Sequence, residues 1–131
     1  MKTLIVEDDF TSRLLLQELL KSFGTFHIAV NGREAVGAVR AALKSGEPYD
    51  LICLDIMMPE MDGQQALKEI RAIEESSRIL PSCWAKIIMT TAVGDKTNVV
   101  EAIRGKCDAF LVKPVRKAKL MDELKRLKLI W

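Results

Sequence analysis

Three cysteines and one histidine are all that 131 residues offer a soft metal or a disulfide framework. Cys53, Cys83 and Cys107 are odd in number and widely spaced, which argues against disulfide pairing and zinc ligation and leaves reduced core thiols as the expectation. His27 has no second histidine to act with and reads as a structural or exposed side chain. No apolar stretch approaches the ~20 residues that span a bilayer. Nothing at the N-terminus resembles a signal peptide, because Met1-Lys2-Thr3 runs directly into a short apolar segment that soon meets Glu7-Asp8-Asp9. No membrane insertion and a cytoplasmic location are therefore expected. An excess of either charge is lacking too: 20 Lys+Arg against 18 Asp+Glu leave a net +2, too slight to imply direct contact with nucleic acid. Arg116, Lys117, Lys119, Lys125, Arg126 and Lys128 do cluster, but Leu120, Met121, Leu124 and Leu127 interrupt them at helical spacing. That pattern predicts the wet face of an amphipathic helix. Internal repeats, linkers and low-complexity segments are absent as well.

What is present is an alternation. Leu4-Ile5-Val6 reads as a strand, and apolar residues at Leu15, Leu16, Leu19, Leu20 and Phe23 predict a helix from Phe10 to Phe23, stopped by Gly24. Phe26 to Val30 alternates weakly, as an edge strand would. Asn31 and Glu34 then bracket a helix start, with Ala35, Val36, Val39 and Leu43 along one face. Leu51-Ile52-Cys53-Leu54 is a strand buried on both faces, ended by Pro59 and Gly63. A helix with Ala66, Leu67, Ile70 and Ile73 inward follows, then the strand Ile87-Ile88-Met89, a short helix closed near Gly105, the strand Phe110-Leu111-Val112 and the C-terminal helix. Strands alternating with helices predict an α/β fold, a doubly wound five-stranded parallel sheet with right-handed crossovers.

Ligands of such sheets collect beyond the carboxyl ends of the strands, where the strand order reverses. The polar residues at those ends are Glu7 and Asp8 after the first strand, Asp55 after the third, Thr91 after the fourth and Lys113 after the fifth. Three facing carboxylates repel one another and call for a cation, and an all-oxygen ligand set selects a hard one such as magnesium. Magnesium favours phosphate oxygens, a lysine adds positive charge and a threonine adds a hydrogen bond. One carboxylate is then free to attack phosphorus and form an acyl phosphate. Met57, Met58 and Met61 lie among acids and a proline, so loop packing explains them better than a soft-metal site.

The stretches Leu4-Ile5-Val6-Glu7-Asp8-Asp9, Asp55 to Gly63, Thr91-Ala92 and Lys113-Pro114, in that order, resemble the motif set of the response-regulator receiver domains of two-component signalling, specifically the single-domain, chemotaxis-type (CheY-like) receivers. The resemblance implies the flavodoxin-like strand order 2-1-3-4-5 and one receiver domain over residues 1–131. With the chain ending at Trp131, right after its last helix, no output domain is expected. It further implies that Asp55 is the phosphoacceptor, that Glu7, Asp8, Asp55 and the backbone carbonyl of Met57 hold Mg2+, and that Lys113 binds the phosphoryl group. Asp9, at the helix entrance, is expected to be an N-cap. Thr91 takes the place of the family's switch hydroxyl and Phe110 that of its switch aromatic, although Phe110 lacks the hydroxyl of a tyrosine and Val115 stands where an aromatic often follows Lys-Pro. The Lys113-Pro114 bond is expected to be cis. The implied phosphodonor is a sensor histidine kinase or a histidine phosphotransfer protein, and the output is docking to a downstream protein. Met57 and Val93 flank the site, both apolar, so a slowly decaying phosphorylated form is expected.

Three other functions are open to an α/β sheet of this kind. A phosphatase of the haloacid dehalogenase type needs a general acid two residues after its nucleophile, and Met57 occupies that position. A binding module that has lost the chemistry should show a broken acceptor, metal or lysine position, and none is broken. A flavin carrier would need a Ser/Thr/Gly-rich phosphate loop after the first strand, which is missing.

Overall fold

The computed structural model describes residues 1–92 and 94–131, the side chains of Lys96 and Val99 excepted. Among these residues β1 (Thr3–Val6), β2 (Phe26–Ala29), β3 (Leu51–Asp55), β4 (Lys86–Thr91) and β5 (Ala109–Val112) alternate with helices α1 (Phe10–Leu20), α2 (Gly32–Lys44), α3 (Gly63–Ser76), α4 (Lys96–Arg104) and α5 (Lys117–Arg126). All neighbouring strands pair in parallel in the order β2-β1-β3-β4-β5, as expected. The chain leaves β1 in one direction and resumes at β3 in the other, which opens a crevice above the carboxyl ends of those two strands.

The period-2 alternation of each strand splits the core in two. Leu4, Val6, Ile52, Leu54, Ile87 and Met89 face α2 and α3, whereas Ile5, Leu51, Cys53, Ile88, Ala109 and Leu111 face α1 and α5. Every residue of β3 is buried, so it reads as a continuous apolar run, while β5 alternates buried and exposed as an edge strand does. Three helices start on side-chain caps: Asp9 accepts from Ser12 N, Asn31 from Glu34 N and Asp62 from Gln65 N. The Asp9 and Asn31 caps match the expectation. The Asp62 cap went unread, although Asp62-x-x-Gln65 is its signature.

Some local expectations change. The first helix ends at Leu20, and Lys21–Phe23 tighten into a 3-10 turn before Gly24, whose φ of 134° only glycine adopts readily. Of the three thiols only Cys53 is fully buried; Cys107 is half-buried and Cys83 is exposed on a 3-10 turn, so the expectation of three core thiols is corrected. Burial pushes the Cys53 thiol up to about 12, which keeps it unreactive. Val100 and Ile103 point outward from α4, and the small Ala102 provides its buried contact. His27 is exposed on β2, its Nδ1 2.7 Å from Tyr49 Oη.

At the end of the sheet away from the crevice, Arg71 of α3 is only 6% exposed. Its guanidinium donates to Glu74 Oε1 at 2.7 Å, Asp108 Oδ2 at 2.9 Å and the carbonyls of Ala85 and Lys106 at 2.9 and 3.0 Å. The two carboxylates in turn accept the backbone N–H groups of Ala85 and Ile87. This network fastens α3 to the starts of β4 and β5.

Candidate functional site

Asp55 is the last residue of β3, and the local sequence explains how it comes to face the crevice. Ile56 N still donates to Thr90 O at 3.1 Å, after which Pro59 prevents continuation and the chain turns into α3. Gly63, the first residue of α3, donates its N–H to Ile56 O at 2.8 Å and lies so near the Asp55 carbonyl that a Cβ there would collide with it. The Asp62-Gly63 pair thus caps the helix with one residue and lets it abut the end of β3 with the other.

Around Asp55 the structure gathers most of the residues singled out in the sequence. One carboxylate oxygen from each of Glu7, Asp8 and Asp55 lies within 4.8 Å of the others. Glu7 and Asp55 are buried and Asp8 is exposed at the rim. Lys113, directly after β5, places Nζ 2.7 Å from Glu7 Oε1 and 3.1 Å from Asp55 Oδ1. The Lys113-Pro114 bond is cis. Glu7 Oε2 accepts the Asp9 N–H at 3.2 Å, and the Glu7 carbonyl accepts from Arg13 Nη1 at 3.3 Å, two contacts the sequence alone did not reveal.

Burial, then the hydrogen bond and like charge of Glu7, push the Asp55 carboxyl up to about 7, outweighing the opposing pull of Lys113. Burial alone would lower the Lys113 ammonium, but hydrogen bonding to Glu7 and the charges of both acids raise it. One lysine therefore leaves the carboxylate cluster short of positive charge. A hard divalent cation fits that deficit, and the all-oxygen donor set of the three carboxylates fits magnesium.

Thr91 ends β4 one residue beyond the Asp55–Thr90 register pair; it is buried, and its hydroxyl donates to the Ala92 carbonyl at 3.5 Å, with no hydrogen bond to Asp55 among the described residues. Phe110, on β5, is 39% exposed beside a surface hollow of about 670 Å³ bounded by α4, β5 and α5. Met57 is 66% exposed. Val93, the other flanking residue, lies outside the described residues. Val115 is buried against α1 and α5, a core role.

Comparison with known proteins agrees with this geometry. The family model "Response regulator receiver domain" matches residues 3–125. The chain is 34% identical over 128 residues to the chemotaxis protein CheY of Thermotoga maritima, covering 95% of each. It superposes with a TM-score of 0.78 and 28% identity on the receiver domain of a Pseudomonas aeruginosa sensor histidine kinase, which has a magnesium ion coordinated in its active site cleft (96% of this chain, 95% of that one). A TM-score of 0.80 with 26% identity relates it to the co-crystal structure of the Saccharomyces cerevisiae histidine phosphotransfer protein Ypd1 with the receiver domain of Ssk1 (97% and 88%).

Proposed function

Because this chain belongs to the response regulator receiver domain family, we propose that it accepts a phosphoryl group on Asp55 in the presence of Mg2+ and signals by phosphorylation-dependent docking. It is a CheY-like receiver of two-component signalling, and such receivers are signalling modules, not metabolic enzymes. The observation that carries the finer reading is the convergence of Glu7, Asp8 and Asp55 at the strand ends with Lys113 Nζ 3.1 Å from Asp55. Residues 1–131 make up one receiver domain in this reading.

Glu7, Asp8, Asp55 and the Met57 carbonyl would hold the metal ion, which supplies charge to offset that of the phosphoryl oxygens. Asp55 is the nucleophile: its Oδ attacks phosphorus, the bond from phosphorus to the donor breaks, and the donor leaves with the bonding electrons. Lys113 shifts from the acids toward the incoming phosphoryl oxygens and offsets their charge. Thr91 follows by hydrogen bonding to the phosphoryl group, and Phe110 turns inward behind it, changing the face formed by α4, β5 and α5.

The donor is a phosphohistidine on a sensor histidine kinase or a histidine phosphotransfer protein, a reading the yeast complex supports. The downstream partner is a protein that docks on the changed face. No helix among the described residues is long and apolar enough to cross a membrane, which is consistent with the cytoplasmic location proposed here. Incubation with acetyl phosphate and Mg2+, read by intact mass, tests the reaction: one phosphoryl mass should be gained, and chelation of the metal should abolish the gain. Full labelling without metal would contradict the proposal.

A further inference from the structure

The row of side chains that contains Asp55 includes a hydroxyl that the reaction above does not use. Asp55 on β3 is in register with Thr90 on β4, and Thr90 with Leu111 on β5. Register partners on parallel strands point to the same face, so Thr90 stands directly beside the nucleophile. Glu7 follows the Val6–Leu54 pair and falls in the same row; Lys113 lies two residues beyond Leu111, on the same face. The face below this row, with Cys53 and Ile88, is apolar core.

Thr90 is 2% exposed, and its Oγ1 is buried with no hydrogen-bond partner among the described residues. Its carbonyl is satisfied by Ile56 N, so the hydroxyl is the group left over. It borders a partly open cavity of about 100 Å³ between the sheet and α1, shared with Glu7, Ser12, Lys113 and Pro114 and with the exposed Thr11 and Leu15. At ~30 Å³ each, such a volume admits up to about three waters, and a cavity holds water when two to four polar partners line it. A hydroxyl, a carboxylate and an ammonium meet that condition.

We propose that this cavity is a hydration site whose water, bound at its buried floor, joins the Thr90 hydroxyl to the Glu7–Lys113 ion pair, which makes Thr90 a positioning residue for Lys113. The lysine ammonium has three donors and pairs by charge with Glu7 Oε1 at 2.7 Å and Asp55 Oδ1 at 3.1 Å, while Glu7 Oε1, like Thr90 Oγ1, is buried without a hydrogen-bond partner among the described residues. One of those donors reaches the cavity water, which donates onward to Thr90 Oγ1. Lysine sits on a flexible four-carbon stem, and this added bond restricts it to the side of the site where the phosphoryl group arrives. The inference rests on the reading of Lys113 as the phosphoryl-binding cation.

The test compares the intact wild-type chain with Thr90→Val, which keeps shape and removes the hydroxyl, and Thr90→Ser, which keeps the hydroxyl. Water–protein NOE spectroscopy reads the hydration site without any phosphoryl chemistry: a long-lived water should contact residue 90 in wild type and Thr90→Ser and be lost in Thr90→Val. The initial rate of phosphorylation by acetyl phosphate should fall about tenfold in Thr90→Val, a fraction of the ~100-fold that a 1 Å misplacement can cost, and recover in Thr90→Ser. A wild-type cavity without long-lived water overturns the proposal. So does a Thr90→Val variant that melts higher than wild type and phosphorylates as fast, the behaviour of an idle buried hydroxyl. Wild type that takes up no phosphate at all contradicts the phosphoacceptor reading and with it the role given to Lys113, while the water contact separately decides the hydration site.

Discussion

The Lys113 ammonium lies 2.7 Å from Glu7 and 3.1 Å from Asp55, so the lysine expected to meet the phosphoryl group is held by the acids of the site. Even so, it does not neutralise them, and Asp55 titrates near 7 instead of in the usual carboxylate range. The folded protein therefore retains a proton on Asp55 between about pH 4, where the unfolded chain loses it, and about pH 7. Over that window stability falls as pH rises, and above it the full penalty of a buried charge persists. Asp55→Asn should stabilise the fold by on the order of 1–4 kcal/mol at pH 8 and by clearly less at pH 5. Urea unfolding at the two pH values checks this; a gain that is equal at both, or larger at pH 5, contradicts it.

Arg71 gives a prediction remote from the chemistry. Its removal leaves Glu74, 2% exposed, and the partly buried Asp108 without their cation. Arg71→Met should destabilise by about 3–5 kcal/mol, the range for breaking a buried ion pair from one side. Chemical denaturation measures it, and a loss under 1 kcal/mol would mean that the carboxylates find other partners or protonate without strain.

Phe110 keeps 39% of its surface exposed. Full burial of such a side chain yields about 1.5–3 kcal/mol, so the remaining portion is worth about 1 kcal/mol. That can bias a two-state switch by roughly fivefold but cannot drive it alone. A fluorine label on Phe110 should report inward movement when beryllofluoride and Mg2+ are added, and Phe110→Ala should weaken the shift in population only several-fold. An unchanged fluorine signal would remove Phe110 from the switch.

Met57 offers a two-thirds exposed, apolar side chain two residues past Asp55, with nothing to orient an attacking water. Met57→Asn should hasten decay of the phosphorylated form several-fold, since a positioned hydrogen bond lowers the barrier to in-line attack. The decay is followed in magnesium buffer after the donor is removed. A rate equal to or below that of wild type would show that this position does not limit the lifetime.

Much of the fold was legible because strands buried on both faces are written as unbroken apolar runs, and their polar terminators Glu7, Asp8, Asp55 and Lys113 announce the crevice. What was hidden depends on tertiary register. Arg71 looks like one more solvated charge between Ile70 and Ile73, and only the approach of Ala85 and Asp108 from distant segments buries it. Thr90 and Thr91 are indistinguishable as a dipeptide; strand pairing alone decides which stands beside Asp55. Cys83 sits near apolar residues in sequence, yet the 3-10 turn from Pro81 to Cys83 carries it to the surface.

The most direct measurement is to locate the acyl phosphate. The chain is phosphorylated with acetyl phosphate and Mg2+, reduced with borohydride, which converts an aspartyl phosphate to homoserine, and mapped by peptide mass spectrometry. The account predicts homoserine at position 55 alone, and no conversion in Asp55→Asn. Conversion at Asp8, or full conversion elsewhere in Asp55→Asn, would contradict it.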